Sequence, residues 1–379
     1  MDFALSPKHE MMKSMFKDFA EKEVAPVAAE LDEKGEFSWD LFKKMGKLGM
    51  FGLPYPREYG GAGADYLTYV LACEQIAHAC CATAMLLTSQ NSLSSWLIYK
   101  YGTEEQKRKY LTPLITGQEL GAFCLTEADA GSDAANQQTT AVLEGSEWVL
   151  DGSKRFVTNG GLAGIYIVVA RTSGSRGPKG ISIFIVEKDT PGLSFGRKEN
   201  KMGVRASQTT EVILQNCRIP KENLLGKEGD GFYMAMQNLD GGRISIGGIA
   251  LGLAQAALDE AVKYSKERQQ FGKPLAANQA IQWMIADMAT ELEAARLLVY
   301  RAAWLRDQGK KHTKEASMAK LYASEVATRA ANKAVQIHGG YGYMKEYKVE
   351  RLMRDAKICE IFEGTSEIQR MVISRAALK

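Results

Sequence analysis

No stretch of this 379-residue chain approaches the ~20 consecutive apolar residues that a membrane-spanning helix needs. Residues 1–20 mix Asp, Lys, His and Glu with apolar positions, which excludes the apolar core of a secretory signal. The expectation is a mature chain starting at Met1 in a bacterial cytoplasm. Long blocks of like charge are missing too. The 48 basic and 45 acidic residues leave a net charge of +3, so neither nucleic acid nor a membrane is expected as a partner. Cys73, Cys80, Cys81, Cys124, Cys217 and Cys359 show no disulfide-framework spacing and no C-x-x-C, which fits a reducing compartment. Cys73, His78, Cys80 and Cys81 lie close in sequence, but at helical angles that do not converge. They read as buried thiols, and no metal is expected. No repeat, linker or low-complexity segment stands out.

What is present is ordinary globular material, 45% apolar and 25% charged, too long for one hydrophobic core. The apolar period divides it into an N-terminal α-helical domain (1–120), a central β domain (121–226) and a C-terminal helical bundle (227–379). Met11, Met15, Phe16 and Phe19 read as one face of a first helix running toward Pro26. Further helices are expected near 40–48 and over 65–82, 85–100 and 104–116. Short β-branched runs at 139–143, 147–151, 165–170, 181–186 and 210–215, with turns such as Asp151-Gly152, predict an antiparallel barrel or sandwich. Beyond Gly229, Leu251, Ala254, Leu258, Ala261 and Ser265 form one stripe, and Ile285, Met288, Leu292, Ala295 and Val299 another. With a segment over 315–337 and a last helix after Ser366, they suggest a four-helix bundle. The fold class is multidomain α+β.

Ile361–Arg370 (IFEGTSEIQR) is the most informative stretch. It places one carboxylate, Glu363, on a turn before a helix start, where Gly364 frees the backbone. Ser366 is expected to cap the helix, with Gln369 completing a capping box. A base beside an anion-stabilising helix terminus suits proton abstraction next to a carbonyl. Elsewhere, Phe123–Ser132 (FCLTEADAGS) offers Thr126, Gly131 and Ser132 on a strand-to-loop turn. Phe156-Val157-Thr158 sets an aromatic face beside a hydroxyl. Arg268 and Phe271 (ERQQFG) end one helix, and Gln336–Tyr343 (QIHGGYGY) ends another with paired glycines.

In this order and spacing the motifs resemble the acyl-CoA dehydrogenase family over essentially the whole chain, and most closely its short-chain, butyryl-type bacterial members. The resemblance implies a homotetramer holding one FAD per subunit. It places flavin-ring contacts at Phe123, Leu125, Thr126, Phe156 and Thr158, with Ser132 nearby. Many members carry Trp at position 156, and Phe keeps the stacking face. Arg268, Phe271, Gln279, Gln336, Gly339 and Gly340 would meet the pyrophosphate and adenine, some from a neighbouring subunit, and Thr365 and Glu367 also fall toward FAD. The CoA thioester would lie against Ser132 and Gly364, with Asp240 and Arg243 nearer the nucleotide. Asp240 has an alternative reading as a helix N-cap.

The reaction so implied is α,β-desaturation of a short- to medium-chain acyl-CoA. Glu363 would act as base, and its backbone N–H, with a ribityl hydroxyl, would stabilise the thioester oxygen. Electrons would pass to an electron-transferring flavoprotein. Some members carry the base at the position of Gly242, where this chain has no carboxylate. Met85, Leu86, Ser89, Ile246 and Gly247 are expected to line the acyl pocket. Gly247-Gly248 implies either close helix packing, the preferred reading, or room for a bulkier branched or aryl group. The second option carries an alternative: an enoyl-CoA reductase working within an electron-bifurcating complex.

Overall fold

The computed structural model describes residues 4–174 and 177–379; residues 1–3 of the N-terminal expectation lie outside it. Ser6 caps the Pro7–Phe19 helix by accepting from the His9 N–H, with proline at the first helical position, where no N–H is needed. Phe16 and Phe19 are its buried residues, and Met12 packs partly against the core. Met11 and Met15 are 65% and 37% exposed, so the seam runs 12, 16, 19, displaced from the expected face. Helical structure then passes through Pro26, which falls in a 3-10 turn, Ala25–Val27.

The expected helix over 85–100 is instead Cys81–Leu87, a π-helical Thr88–Ser94 and Ser95–Tyr101. The widened middle carries buried polar side chains that satisfy distant carbonyls. Gln90 Nε2 donates to Leu114 O at 3.0 Å and Glu119 O at 2.9 Å, and Asn91 Nδ2 to Met50 O at 3.0 Å.

Among the described residues, the central domain is one eight-stranded sheet. Its order is Leu193–Phe195, Thr209–Pro220, Glu147–Thr158, Thr140–Glu144, Ile165–Arg171, Ile181–Glu187 and Leu224–Leu225, with Gly121–Cys124 beside Ile165–Arg171. Most pairings are antiparallel, as the turn-punctuated pattern implies. Among the described residues two strand pairings are parallel: Gly121–Cys124 with residues 165–168, and a single Thr140 to Arg171 pairing. The sheet is therefore mixed. Ile165–Arg171 and Ile181–Glu187 are buried on both faces. Tyr166, Val168, Phe184 and Val186 join the main core, while Ile167, Val169, Ile183 and Ile185 join a second core with Leu97, Leu111 and Leu114.

The C-terminal region is built on Gly231–Glu267, Gln279–Asp307 and Thr313–His338, followed by Lys348–Ile358 and Ser366–Ala377. Helix Tyr66–Ala79 packs against the first two and so belongs to the bundle as much as to the N-terminal region. Its charges are tied across that joint. Glu74 accepts from Arg296 at 3.1 Å and from Tyr300 at 2.8 Å, His78 pairs with Asp259 at 2.9 Å, and Asp307 accepts from the Tyr66 N–H at 2.6 Å. Glycines set the spacing. A Cβ on Gly247 would lie 2.9 Å from Val299 Cγ2, and one on Gly248 would lie 3.1 Å from Val70 O. The pair is thus filled by neighbouring helices. At Gly252 a Cβ would overlap the Glu74 carbonyl and sit 2.8 Å from Ala77 Cβ. Gly252→Val is therefore expected to destabilise the protein by about 1–3 kcal/mol through overpacking. Thermal unfolding measures this, and an unchanged midpoint would show that the two helices can part without cost.

Candidate active site

Glu363 sits on the turn between Lys348–Ile358 and Ser366–Ala377 with φ +54°, followed by Gly364 at φ +96°. A glutamate in the left-handed region costs about 1–2 kcal/mol, so the turn must be held from outside. The helix cap is Thr365, whose hydroxyl accepts from Ile368 N–H at 3.4 Å. Ser366 is the first helical residue, and its N–H donates to Glu360 O. The expected capping box is absent because Gln369 turns back to donate to Gly364 O at 2.8 Å and Glu363 O at 3.3 Å. Among the described residues, nothing accepts from the Glu363 backbone N–H.

Glu363 as a whole is half-buried, yet both carboxylate oxygens are shut from solvent and accept no hydrogen bond from the described residues. Burial pushes its pKa up to about 7, against the opposing pull of the Lys320 and Arg243 cations. The carboxylate fills the space beside Gly242, where a Cβ would overlap Oε2. Gly242 therefore makes room for the head of Glu363.

Arg243 is buried, pairing with Asp240 at 2.9 Å, and Asp240 also accepts from Thr313 Oγ1 at 2.6 Å. Both residues lie within the long helix Gly231–Glu267, which removes the N-cap reading of Asp240. Tyr66 donates to Gly241 O at 2.8 Å, and Tyr66, Tyr69 and Ser245 all converge on the Ser92 hydroxyl. One turn earlier, Ser89 accepts from Asn159 Nδ2 at 3.0 Å. The Thr88–Ser94 segment therefore joins the end of the Glu147–Thr158 strand to the helix carrying Gly242. Met85, Leu86 and Ser89 are buried on this side. Ile246 is buried in the bundle core, and Gly247 faces Val299.

At the strand end, Phe156 sits where the register slips between Lys154 and Val157. Its φ is +55°, and its ring stands 68% exposed. Phe123, Leu125, Thr126 and Thr158 are half-buried. Behind them, fully buried Lys154 donates to Glu127 at 2.7 Å and Gln137 at 2.9 Å. Glu127 also accepts from the Gln138 and Thr139 N–H groups. The Arg155 N–H donates to Thr126 O at 2.7 Å. Ser132 is exposed on the loop beyond.

A second group lies elsewhere. Arg268, Gly339 and Gly340 line an open cavity of about 640 Å³ with Tyr264, His338, Tyr341 and Met344. The Arg268 guanidinium lies 5.5 Å from the Tyr341 ring, and His338 stacks on Tyr264 at 4.1 Å. Phe271 is 99% exposed with φ +54°, and Gln279 and Gln336 are exposed; Glu367, also exposed, lies with the first group, in the first turn after Glu363. Arg268 follows Gly242 by 26 positions on one helix, a separation of about 39 Å at 1.5 Å per residue. The two groups are therefore far apart along the bundle.

Sequence reasoning passed over Lys320 and the Lys154–Glu127 pair, and it gave Gln369 a capping role in place of its bond to the Gly364 carbonyl. Lys320 did carry a signal: it shares a helical face with Ala316 and Ala323, where a core residue is due.

The chain matches the models of the acyl-CoA dehydrogenase N-terminal domain over residues 6–118, middle domain over 122–217 and C-terminal domain over 229–378. It is 52% identical to the short-chain specific acyl-CoA dehydrogenase of Clostridium acetobutylicum, covering 99% of both chains. It is 49% identical to subunit CarC of the caffeyl-CoA reductase–Etf complex of Acetobacterium woodii, covering 99% of both. Butyryl-CoA dehydrogenase from Megasphaera elsdenii superposes with a TM-score of 0.98 at 48% identity, with 100% of each chain covered. The protein belongs to the acyl-CoA dehydrogenase family, and its cofactor is FAD.

The residues present fit that group. An aromatic ring stands out of the core at Phe156. The glycine pair leaves open backbone, since a Cβ at Gly339 or Gly340 would meet nothing within 4 Å. Lys154→Met breaks a buried ion pair and is expected to cost about 3–5 kcal/mol. It should also lower flavin retention on gel filtration, and a variant that keeps both its flavin and its melting temperature would contradict this support role.

Proposed function

We propose that this protein desaturates short- to medium-chain acyl-CoA thioesters to trans-2-enoyl-CoA, with Glu363 removing the α-proton. The observation that carries this reading is a carboxylate sealed from water with no donor among the described residues, raised to about 7 by burial. A free glutamate near 4.3 is too weak a base, and one near 7 is matched to proton transfer at neutral pH. The Glu363 N–H, which has no acceptor among the described residues, supplies a donor for the thioester oxygen as charge builds there. Gly364 and Ser132 would flank the thioester, and the Asp240–Arg243 pair would stand toward the nucleotide of CoA.

Bound FAD supplies the two-electron acceptor for the β-hydride. Phe123, Leu125, Thr126, Phe156 and Thr158 would hold its ring, with Thr365 and Glu367 adjoining. Arg268, Phe271, Gln279, Gln336, Gly339 and Gly340 lie too far along the bundle to serve the same flavin as Glu363. They would instead serve a neighbouring subunit's, which supports the homotetramer. Electrons would leave to an electron-transferring flavoprotein, and six buried free thiols suit a reducing cytoplasm. Among the described residues, no helix is long and apolar enough to cross a membrane.

The relative in a caffeyl-CoA reductase complex supports a second reading, enoyl-CoA reduction by the same Glu363. The filled space beside Gly247 and Gly248 weighs against the wider acyl pocket that reading invoked. Anaerobic reduction with a panel of acyl-CoAs discriminates: bleaching by butyryl-CoA, and none by branched or aryl thioesters, is the expected result.

Glu363→Gln should keep FAD and ligand binding while turnover falls at least ~10³-fold, the scale of a lost general base. Retained turnover would refute the assignment. Ionisation of Glu363 also has a sign for stability. The folded chain holds this proton more tightly than the unfolded one, so stability is lost as pH rises from 4.5 through about 7. Glu363→Gln escapes that loss. Its melting temperature relative to the unsubstituted protein should therefore be higher at pH 8 than at pH 5.

A further inference from the structure

Lys320 stands on the Thr313–His338 helix with its side chain fully buried, an unusual place for an ammonium group. Its Nζ donates to the Gly364 carbonyl at 2.7 Å, and the same carbonyl accepts from Gln369 Nε2 at 2.8 Å. Two donors from different helices thus converge on one oxygen, immediately after the left-handed Glu363. Among the described residues, Lys320 makes no ion pair, so its charge is answered only by the carbonyl and by the field of nearby acids. We infer that Lys320 is a positioning residue of the reaction: its buried ammonium pins the Glu363–Gly364 turn through the Gly364 oxygen and supplies positive charge beneath the base. The inference rests on the reading of Glu363 as that base.

The geometry explains why a cation is used where a neutral donor is already present. Glu363 and Gly364 both occupy positive φ, so the turn leans toward relaxing, which would swing the carboxylate and its N–H out of register together. A charge-assisted hydrogen bond is roughly twice as strong as a neutral one, and Lys320 adds it from the rigid bundle. Burial in turn lowers the Lys320 pKa to about 8, still above the value of about 7 for Glu363, so the ammonium prevails at the midpoint of the Glu363 titration.

The other groups facing Glu363 do not replace it. Arg243, on the long helix, is already paired with Asp240. Tyr66 and Cys73, on the Tyr66–Ala79 helix, both have raised pKa values and stay neutral. On the segment of Glu363 itself, Cys359 and Glu360 act on Lys320, and Glu360 is paired with Lys357 at 2.6 Å. Lys320 is therefore the cation whose removal leaves Glu363 in a site dominated by desolvation.

The test separates the donor from the charge. Lys320→Gln keeps a hydrogen-bond donor and removes the charge; Lys320→Met removes both; Lys320→Arg keeps both. Each variant, as the flavin-loaded enzyme, is assayed for kcat and KM across pH 5.5–9 with butyryl-CoA. The acid limb of kcat/KM should move up by about one pH unit in Lys320→Gln and Lys320→Met, because removing a nearby positive charge raises a carboxyl pKa. The alkaline plateau of kcat should fall at least ~10-fold in Lys320→Met only, with KM nearly unchanged, because the turn is no longer pinned. Lys320→Arg should restore the limb.

A limb that stays in place in both charge-removing variants overturns the inference, as does a Lys320→Met plateau within twofold of the unsubstituted enzyme. Should Lys320→Met fail to fold, the limb position in Lys320→Gln decides. Glu363→Gln runs alongside: turnover retained there sinks the base assignment itself. An inert Glu363→Gln beside unaltered Lys320 variants sinks only the role of Lys320.

Discussion

The site depends on one arrangement, a carboxylate enclosed where no described residue donates to it. Water would solvate Glu363 and return it to an ordinary acid, and a neighbouring N–H would do much the same. The fold denies both by pressing the head of Glu363 against Gly242, a position without a side chain. An uncompensated buried charge would be prohibitive, so Lys320 and Arg243 are kept close enough to attract without bonding to it. The result is a group balanced between its protonated and ionised forms near neutrality.

That balance constrains parts of the molecule that do not touch the carboxylate. The left-handed turn requires Gly364 and the two donors on its carbonyl, and Thr365 must start the next helix without delay. At the sheet end a different device does similar work. A bulge throws Phe156 outward while Lys154 and Glu127 anchor the loop behind it. In both places an energetically awkward backbone is held by buried charge-assisted bonds from a neighbouring element.

Apolar period and turn chemistry made the order of helices, strands and helices legible, because each is a local property of ten or twenty residues. What escaped was non-local. The π-helical Thr88–Ser94 exists because Gln90 and Asn91 reach carbonyls contributed by other segments, and the parallel neighbours of Ile165–Arg171 are joined through long excursions of chain. Lys154 finds Glu127 across 27 residues, and Lys320 finds Gly364 across 44. The cap shifted from Ser366 to Thr365 because both carry a hydroxyl, and only the backbone angle decides between them. Glu363 and Gly364 stood out in the sequence as a pair; the emptiness opposite them at Gly242 was visible only as a missing acid.

Helix Tyr66–Ala79 is covalently part of the first region, yet it is bolted to the last one through Glu74, His78 and the Asp307 carboxylate beneath its first turn. The boundary that composition draws near residue 120 is therefore a division of the chain and not of the cooperative unit. Such a molecule cannot trade its leading third for another in the way bead-like modules are shuffled, because the incoming piece would have to bring matching ridges and countercharges with it.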